Sequence, residues 1–361
     1  MNKKISNFEF ATLNFFLVRA FLLGALFNAL LNFVKQDSWI IPLLGIIPAF
    51  LCIIFLNYIM NYEPDLNIFD KLNKLFGPVF SKIVIVLFIL YAFLLLSFNF
   101  LNLNNFIQSQ FLIRTPLIFI AIMFAIATMY IVNKGFNTLS RTGVILFYIA
   151  NFLFIFSLIG LIPVIKIYNL KPMFVFKIND YLKALNSFYS LSIVPMFMLS
   201  VIPKNKIKNA KIKKTLMISY FCAAITLFII VIATIGTFGF ELTRIFEYPE
   251  FHVLKYISLV DLTSRIESIL VLQLVIDIFI TNVFIVYYIK EGVVSIKKTN
   301  KVNIIYFIIC ILMIVSSMFI SRYNIYIDKF FLNDMPFISL IFSCFAFFVI
   351  CIMIFFKKKK S

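Results

Sequence analysis

The sequence predicts an all-α integral membrane protein of about ten transmembrane helices, folded as one transmembrane domain over residues 1–361. Three observations predict it. Apolar residues make up 63% of the chain and charged residues only 13%, whereas soluble proteins carry roughly 45–50% and 25%. The charges lie almost entirely in the gaps between about ten apolar runs, each near the ~20 residues a spanning helix needs. Those runs are continuous and do not alternate, which favours helices over a barrel, since lipid offers the backbone no partner outside its own segment.

The runs fall near residues 8–34, 38–60, 81–105, 115–133, 142–165, 186–202, 215–238, 266–289, 302–320 and 335–356. Ahead of the first, Lys3 and Lys4 resemble the basic start of a signal peptide. The following run is too long for such a peptide and lacks a small-residue cleavage site, so the first helix is expected to remain. Ser6 and Glu9 form an S-x-x-E capping box at its start. Between the second and third runs, Leu66, Phe69, Leu72 and Leu75 or Phe76 recur at helical spacing, predicting a short amphipathic helix on the membrane surface. Between the seventh and eighth, the segment from Gly239 to Arg265 is long enough for a lid over a cavity. It holds the single histidine, His252, which has no evident carboxylate or cysteine partner.

The net charge of +18 is a matter of topology. With ten spans and an inner N-terminus, 21 of the 33 bases fall in inner segments, 11 in outer ones, and one, Arg19, within a span. That bias puts both termini in the cytoplasm. The stretch Lys204 to Lys214 reads as a topology signal or as a site for anionic lipid, and so does the tail Lys357 to Lys360. No aromatics interleave with these bases, so nucleic acid is not an expected partner. Cys52, Cys222, Cys310, Cys344 and Cys351 sit inside apolar runs without metal-ligand spacing. No nucleophile elbow, phosphate loop or HExxH motif is present, so neither an enzyme nor a cofactor is expected.

Function therefore rests on the few polar groups within the spans. Arg19 lies about a dozen residues into the first run, near mid-membrane at 1.5 Å per residue. A charge there costs about 2.5–3.5 kcal/mol on insertion scales, so a partner is required. Asp277, at comparable depth in the eighth run, is the obvious one, whether the pair serves packing or function. Asn99, Asn102, Asn105 and Gln108 are spaced by three in the third run and suggest a polar stripe, either interhelical glue or the lining of a wet cavity. Asn14, Asn28, Asn151, Gln273 and Asn282 leave the same choice. Pro195 interrupts the sixth run just after Tyr189, Ser190 and Ser192, as a kink or as a discontinuous helix whose freed backbone groups hold a substrate. Gly24, beside Leu23, is a weaker break in the first run.

Several short stretches, in order along nearly the whole chain, resemble the spore germination permease family, the B subunits of nutrient germinant receptors. They are Ile5-Ser6, Gln36 to Ile40, Asn67 to Gly77, Arg114-Thr-Pro116, Ile235 to Gly239 and Arg265-Ile-Glu267. The resemblance implies the amino acid/polyamine/organocation superfamily and the inverted 5+5 repeat of the leucine-transporter fold. The first repeat would run over about 8–165 and the second over about 186–356. It further implies a receptor subunit in the spore inner membrane, working with an A-type membrane subunit and a C-type lipoprotein. The small germinant, commonly an amino acid, would bind near the breaks of helices one and six, at Val18 to Ala25 and Phe188 to Pro195. The expected ligand-binding residues are thus Arg19, Leu23, Gly24, Tyr189, Ser190, Ser192, Pro195 and Asp277. Arg19 stands where the family usually has small residues, and with Asp277 it would be a fixed cation replacing a movable one. The alternatives are a secondary transporter of amino acids or related small organic solutes, and a purely structural subunit.

Overall fold

The computed structural model describes residues 4–22, 26–260, 271–297, 302–321 and 329–360. Helix α1 (Asn7–Arg19) begins at the expected capping box: Ser6 Oγ accepts from the Glu9 N–H at 3.1 Å, and Glu9 Oε2 accepts from the Ser6 N–H at 2.6 Å. Beyond Arg19 the helix loosens, and the Leu26 N–H reaches back five residues to the Phe21 carbonyl at 3.1 Å. Leu23, Gly24 and Ala25, between these points, lie outside the described residues. The span resumes as α2 (Phe27–Val34) and ends at Lys35, whose φ of 43° no helix interior adopts.

The second span comprises α3 (Ile41–Leu44) and α4 (Ile46–Asn61), joined at Gly45. A Cβ on Gly45 would sit 2.5 Å from the Phe188 ring, so only glycine lets the second span approach the sixth this closely. There follow α5 (Ile68–Phe76), α6 (Phe80–Gln110), α7 (Leu117–Asn133) and α8 (Phe136–Leu161). The sixth span starts as α9 (Ile178–Phe188), widens to a π turn over Tyr189–Ile193 and tightens to 3-10 over Val194–Val201. Pro195 lacks an N–H and its ring crowds the preceding turn, which is why the winding changes there. The seventh span is α10 (Ile212–Ile245), interrupted by Gly239 at φ 72°, where the chain leaves the bundle for α11 (Pro249–Val260). Helices α12 (Leu272–Lys297), α13 (Val302–Ile320) and α14 (Met335–Ser343), the last continuing through a π turn into α15 (Ile350–Lys360), follow among the described residues.

Among the described residues eight helices are long and apolar enough to cross a membrane. The 17 residues of α7 and the broken first span bring the number of spans among the described residues to ten. Spans six and eight are mostly buried, whereas most of spans five and nine is exposed or half-buried. The former pair is therefore central and the latter faces lipid. Span one packs against the seventh, eighth, fifth and both parts of the sixth. Two broken helices thus lie side by side in the middle of the bundle.

One element departs from the sequence expectation. Helix α5 is not spread on the membrane surface but folded under the Lys-rich end of the bundle. Ile68, Phe69, Leu72 and Leu75 are buried, Phe69 packs on Tyr288 with centroids 5.0 Å apart, and Asn73 Nδ2 donates to Ser295 Oγ at 3.0 Å. Even Lys71 is buried: its Nζ donates to the Ile59 carbonyl at 2.9 Å and, more weakly, to that of Met60 at 3.4 Å, satisfying the end of α4. Burial lowers the Lys71 ammonium to about 8. Amphipathic spacing specifies an apolar face but not whether lipid or protein covers it.

Candidate functional site

Arg19 closes α1 immediately before the break, where a helix C-terminus favours positive charge. Its Nη2 lies 2.9 Å from Asp277 Oδ2 of α12, with side chains 0% and 4% exposed. The guanidinium carbon stands 4.9 Å from the Phe15 ring centroid and 5.6 Å from that of Phe154. The charge is thus enclosed by two rings and a carboxylate. The pair is an ionic contact without hydrogen-bond alignment, and Arg19 Nε and Nη1 and Asp277 Oδ1 have no protein partner among the described residues.

Asp277 belongs to a polar row. Gln273, Asp277 and Thr281 follow at intervals of four along α12 and share one helix face. All three are buried, and among the described residues Gln273 Oε1 and Thr281 Oγ1 also lack a protein partner. On the adjoining face Asn282 Oδ1 accepts from Asn99 Nδ2 of α6 at 3.1 Å, leaving Asn99 Oδ1 and Asn282 Nδ2 unmatched. Asn104, one of the buried residues of α6, has neither amide atom matched among the described residues. Buried polar atoms normally find a partner. These unmatched groups stand out in an otherwise apolar bundle.

The other sequence-derived site residues divide. Tyr189 Oη approaches Cys52 Sγ of the second span at 3.5 Å. Ser190 Oγ donates to Ser339 Oγ of α14 at 2.7 Å, and Tyr91 Oη of α6 lies 3.1 Å from the same oxygen. These two side chains are tied to spans two and ten. Ser192 is fully buried and its hydroxyl has no protein partner among the described residues, and Pro195 is buried one turn beyond. Leu23 and Gly24 lie outside the described residues. Among the ambiguous amides, Asn14 is glue, donating to Ser219 Oγ at 2.7 Å. Asn151 bonds its own helix, through the Phe147 carbonyl. Sequence reasoning missed Thr281 and Asn104. The spacing of four around Asp277 would have found the first.

At the end opposite the Lys-rich face, α11 packs over the bundle. Phe251, Val253 and Leu254, with Tyr248 just before the helix, are buried against Leu103, Phe106, Leu161, Ala233 and Leu274. Beneath it lies a cavity of about 20 Å³ lined in part by Phe154, Ser157, Glu250 and Gln273. That cavity touches both the ring under Arg19 and the residue one turn from Asp277. The Asn28 amide of the first span donates to the Glu247 carbonyl at 3.0 Å. Residues 239–260 therefore cover the bundle and contact span one, while 261–265 lie outside the described residues. His252 stacks on Phe246 at 4.2 Å, and burial, with Lys255 nearby, lowers its pKa.

Ten spans, the first and sixth broken where they pass through the middle of the bundle and a charged pair set at the first break, define a permease-type integral membrane protein. Residues 10–325 match the spore germination protein family, and the chain belongs to it. It is 26% identical over 237 residues to YfkT of Bacillus subtilis (strain 168), a candidate spore germination protein, across 65% of this chain and 64% of YfkT. That match therefore spans under two thirds of YfkT. With the spore germination protein YndE of the same organism it shares 20% identity over 294 residues, 79% of this chain and 78% of YndE. Among solved structures, a histidine-to-alanine mutant of the Eremococcus coleocola manganese transporter superposes with a TM-score of 0.64 at 11% identity, covering 96% of this chain and 78% of that one. This likeness shows the fold, that of the leucine-transporter class.

Proposed function

We propose that this membrane germination protein is the B-type subunit of a nutrient germinant receptor, in the spore inner membrane with both termini cytoplasmic. An A-type membrane subunit and a C-type lipoprotein would be its partners. Its germinant, a small amino acid, would bind between the broken spans, at Arg19, Leu23, Gly24, Tyr189, Ser190, Ser192, Pro195 and Asp277. The observation that carries this reading is the Arg19–Asp277 pair at the first break, among buried amides and hydroxyls with unmatched hydrogen-bonding capacity. Such groups discriminate strongly for ligands that satisfy them. Because Asp277 already holds a fixed cation, occupancy by ligand does not call for a co-bound ion, which suits a sensor better than an ion-driven pump.

A second reading, secondary transport of amino acids or related small organic solutes, draws on the transporter fold. The purified protein in nanodiscs, screened against a panel of L-amino acids by thermal shift, and in proteoliposomes, assayed for uptake of any hit with and without proton and sodium gradients, separates the two. Saturable binding without gradient-driven uptake supports the receptor; gradient-driven accumulation establishes the transporter in its place. No binding by any amino acid rejects the amino acid site.

A further inference from the structure

At the Lys-rich end two adjoining hollows, of about 600 and 760 Å³, share Lys4, Ile5 and Asn137 in their walls. Together they carry five bases, Lys4, Lys134, Arg141, Lys206 and Lys208, against two acids, Glu9 and Asp65. Both acids are engaged: Glu9 accepts from the Ser6 N–H and Asp65 from the Asn205 amide. Among the described residues Lys4, Arg141, Lys206 and Lys208 take part in no ion pair. The basin is an uncompensated cationic cleft.

Its position within the fold is specific. Ile5 and Ile207 form a parallel bridge in which the Ile5 N–H donates to the Lys206 carbonyl at 2.9 Å and the Lys208 N–H donates to the Ile5 carbonyl at 2.8 Å. The Asn7 amide adds a bond to the Lys208 carbonyl at 3.2 Å. The start of broken span one is thereby fastened to the segment that leaves broken span six. The cleft opens sideways onto an apolar flank: Phe8 and Ile145, 42% and 62% exposed, line it, and Phe8 stacks against Tyr148 at 5.7 Å. Bases grouped at one level with exposed rings and aliphatic side chains beside them match a molecule with an anionic head and an acyl body.

We propose that this cleft is a binding site for an anionic phospholipid, its phosphate among Lys4, Arg141 and Lys208 and an acyl chain along Phe8, Ile145 and Tyr148, bridging the ends of the two broken spans. The proposal is independent of what, if anything, binds at Arg19. The shared chemistry is a phosphate ester, and free phosphate must be told apart from lipid.

The test uses the purified full chain in a neutral maltoside detergent, read by thermal unfolding and by native mass spectrometry of retained lipid. Phosphatidylglycerol, phosphatidylcholine with the same chains, inorganic phosphate and glycerol 3-phosphate are compared. Phosphatidylglycerol is expected to raise the unfolding midpoint and to stay bound, and the other three to do neither. The triple variant K4Q/R141Q/K208Q, which leaves every backbone bond of the bridge in place, should raise the half-saturating lipid concentration at least tenfold, whereas K357Q/K358Q/K359Q/K360Q in the tail should leave it unchanged. Should the triple variant not fold, salt serves instead, and the lipid effect on the unaltered protein must shrink as sodium chloride rises from 0.05 to 0.5 M. Equal effects of the two lipids, an undiminished effect in the triple variant, or insensitivity to salt overturns the site. A full effect of inorganic phosphate makes it a soluble-anion site, and no response to phosphatidylglycerol leaves the cleft to an acidic protein segment; either outcome also overturns the proposal.

Discussion

Replacing Arg19 and Asp277 singly and together gives the sharpest test of the polar centre. The partners are 2.9 Å apart with side chains 0% and 4% exposed, so neither has water to fall back on when the other is removed. Stranding one member of a buried pair typically costs about 3–5 kcal/mol. Arg19→Ala also forfeits the contacts with Phe15 and Phe154, worth on the order of 1 kcal/mol. We expect about 4–6 kcal/mol for Arg19→Ala and about 3–5 kcal/mol for Asp277→Ala, with the double variant less damaged than their sum by about 1–3 kcal/mol. Asp277→Asn keeps the volume and removes only the charge, so it should cost nearly as much as Asp277→Ala. The assay is reversible unfolding in mixed micelles, titrated with a denaturing detergent and followed by helicity. Additivity within about 0.5 kcal/mol, or a silent Asp277→Asn, would refute the coupling and free Arg19 to bind a carboxylate ligand directly.

Three further outcomes are expected. A cysteine at Lys208, in a background without the five native thiols, should react with an impermeant reagent only from the cytoplasmic side; labelling from outside reverses the proposed orientation. Pro195→Ala restores a backbone donor where the sixth span passes from π to 3-10 winding, and spores carrying it should need at least tenfold more germinant at normal protein level; an unchanged dose response contradicts a role for that break. Lys71 is held at about 8, below its ordinary 10.5, so between those values the unfolded chain binds more protons and stability rises with pH. Lys71→Met removes the buried ammonium together with its bonds to the Ile59 and Met60 carbonyls, and should abolish that alkaline rise; a rise of unchanged size in pH-dependent unfolding would refute the assignment to Lys71.

What the sequence disclosed follows from how strongly the membrane constrains a chain. Lipid tolerates few charges, so the spans could be placed from the gaps between them. The same cost singled out Arg19 and demanded Asp277, and the two meet. A local motif such as the Ser6–Glu9 box is legible because both partners lie within one turn. Direction around a helix is harder. Asn99, Asn102, Asn105 and Gln108 looked like one stripe, but at 3.6 residues per turn a spacing of three drifts about 60° per step, so the four cover about half the circumference. Asn99 is fully buried with Asn282, while Gln108 is half-buried and bonds the Thr115 carbonyl. Tyr189 and Ser190 likewise follow from Pro195 by position, but which neighbours they meet depends on how spans two and ten pack against the sixth, and no local pattern encodes that.

The charged pair also sets an order in time. Arg19 enters the bilayer with the first span, and Asp277 is made roughly 260 residues later, so at about 5–20 residues per second the cation waits on the order of tens of seconds for its carboxylate. Throughout that interval the first span is a poor tenant of lipid, and its half-helices are best kept beside the insertion machinery or bent toward the headgroups. The closing of the pair is thus a late event of biogenesis, reached only when the eighth span arrives. A chain stopped before that point would hold an unpartnered arginine in mid-membrane, a mark by which a cell's quality control can tell an unfinished copy from a finished one.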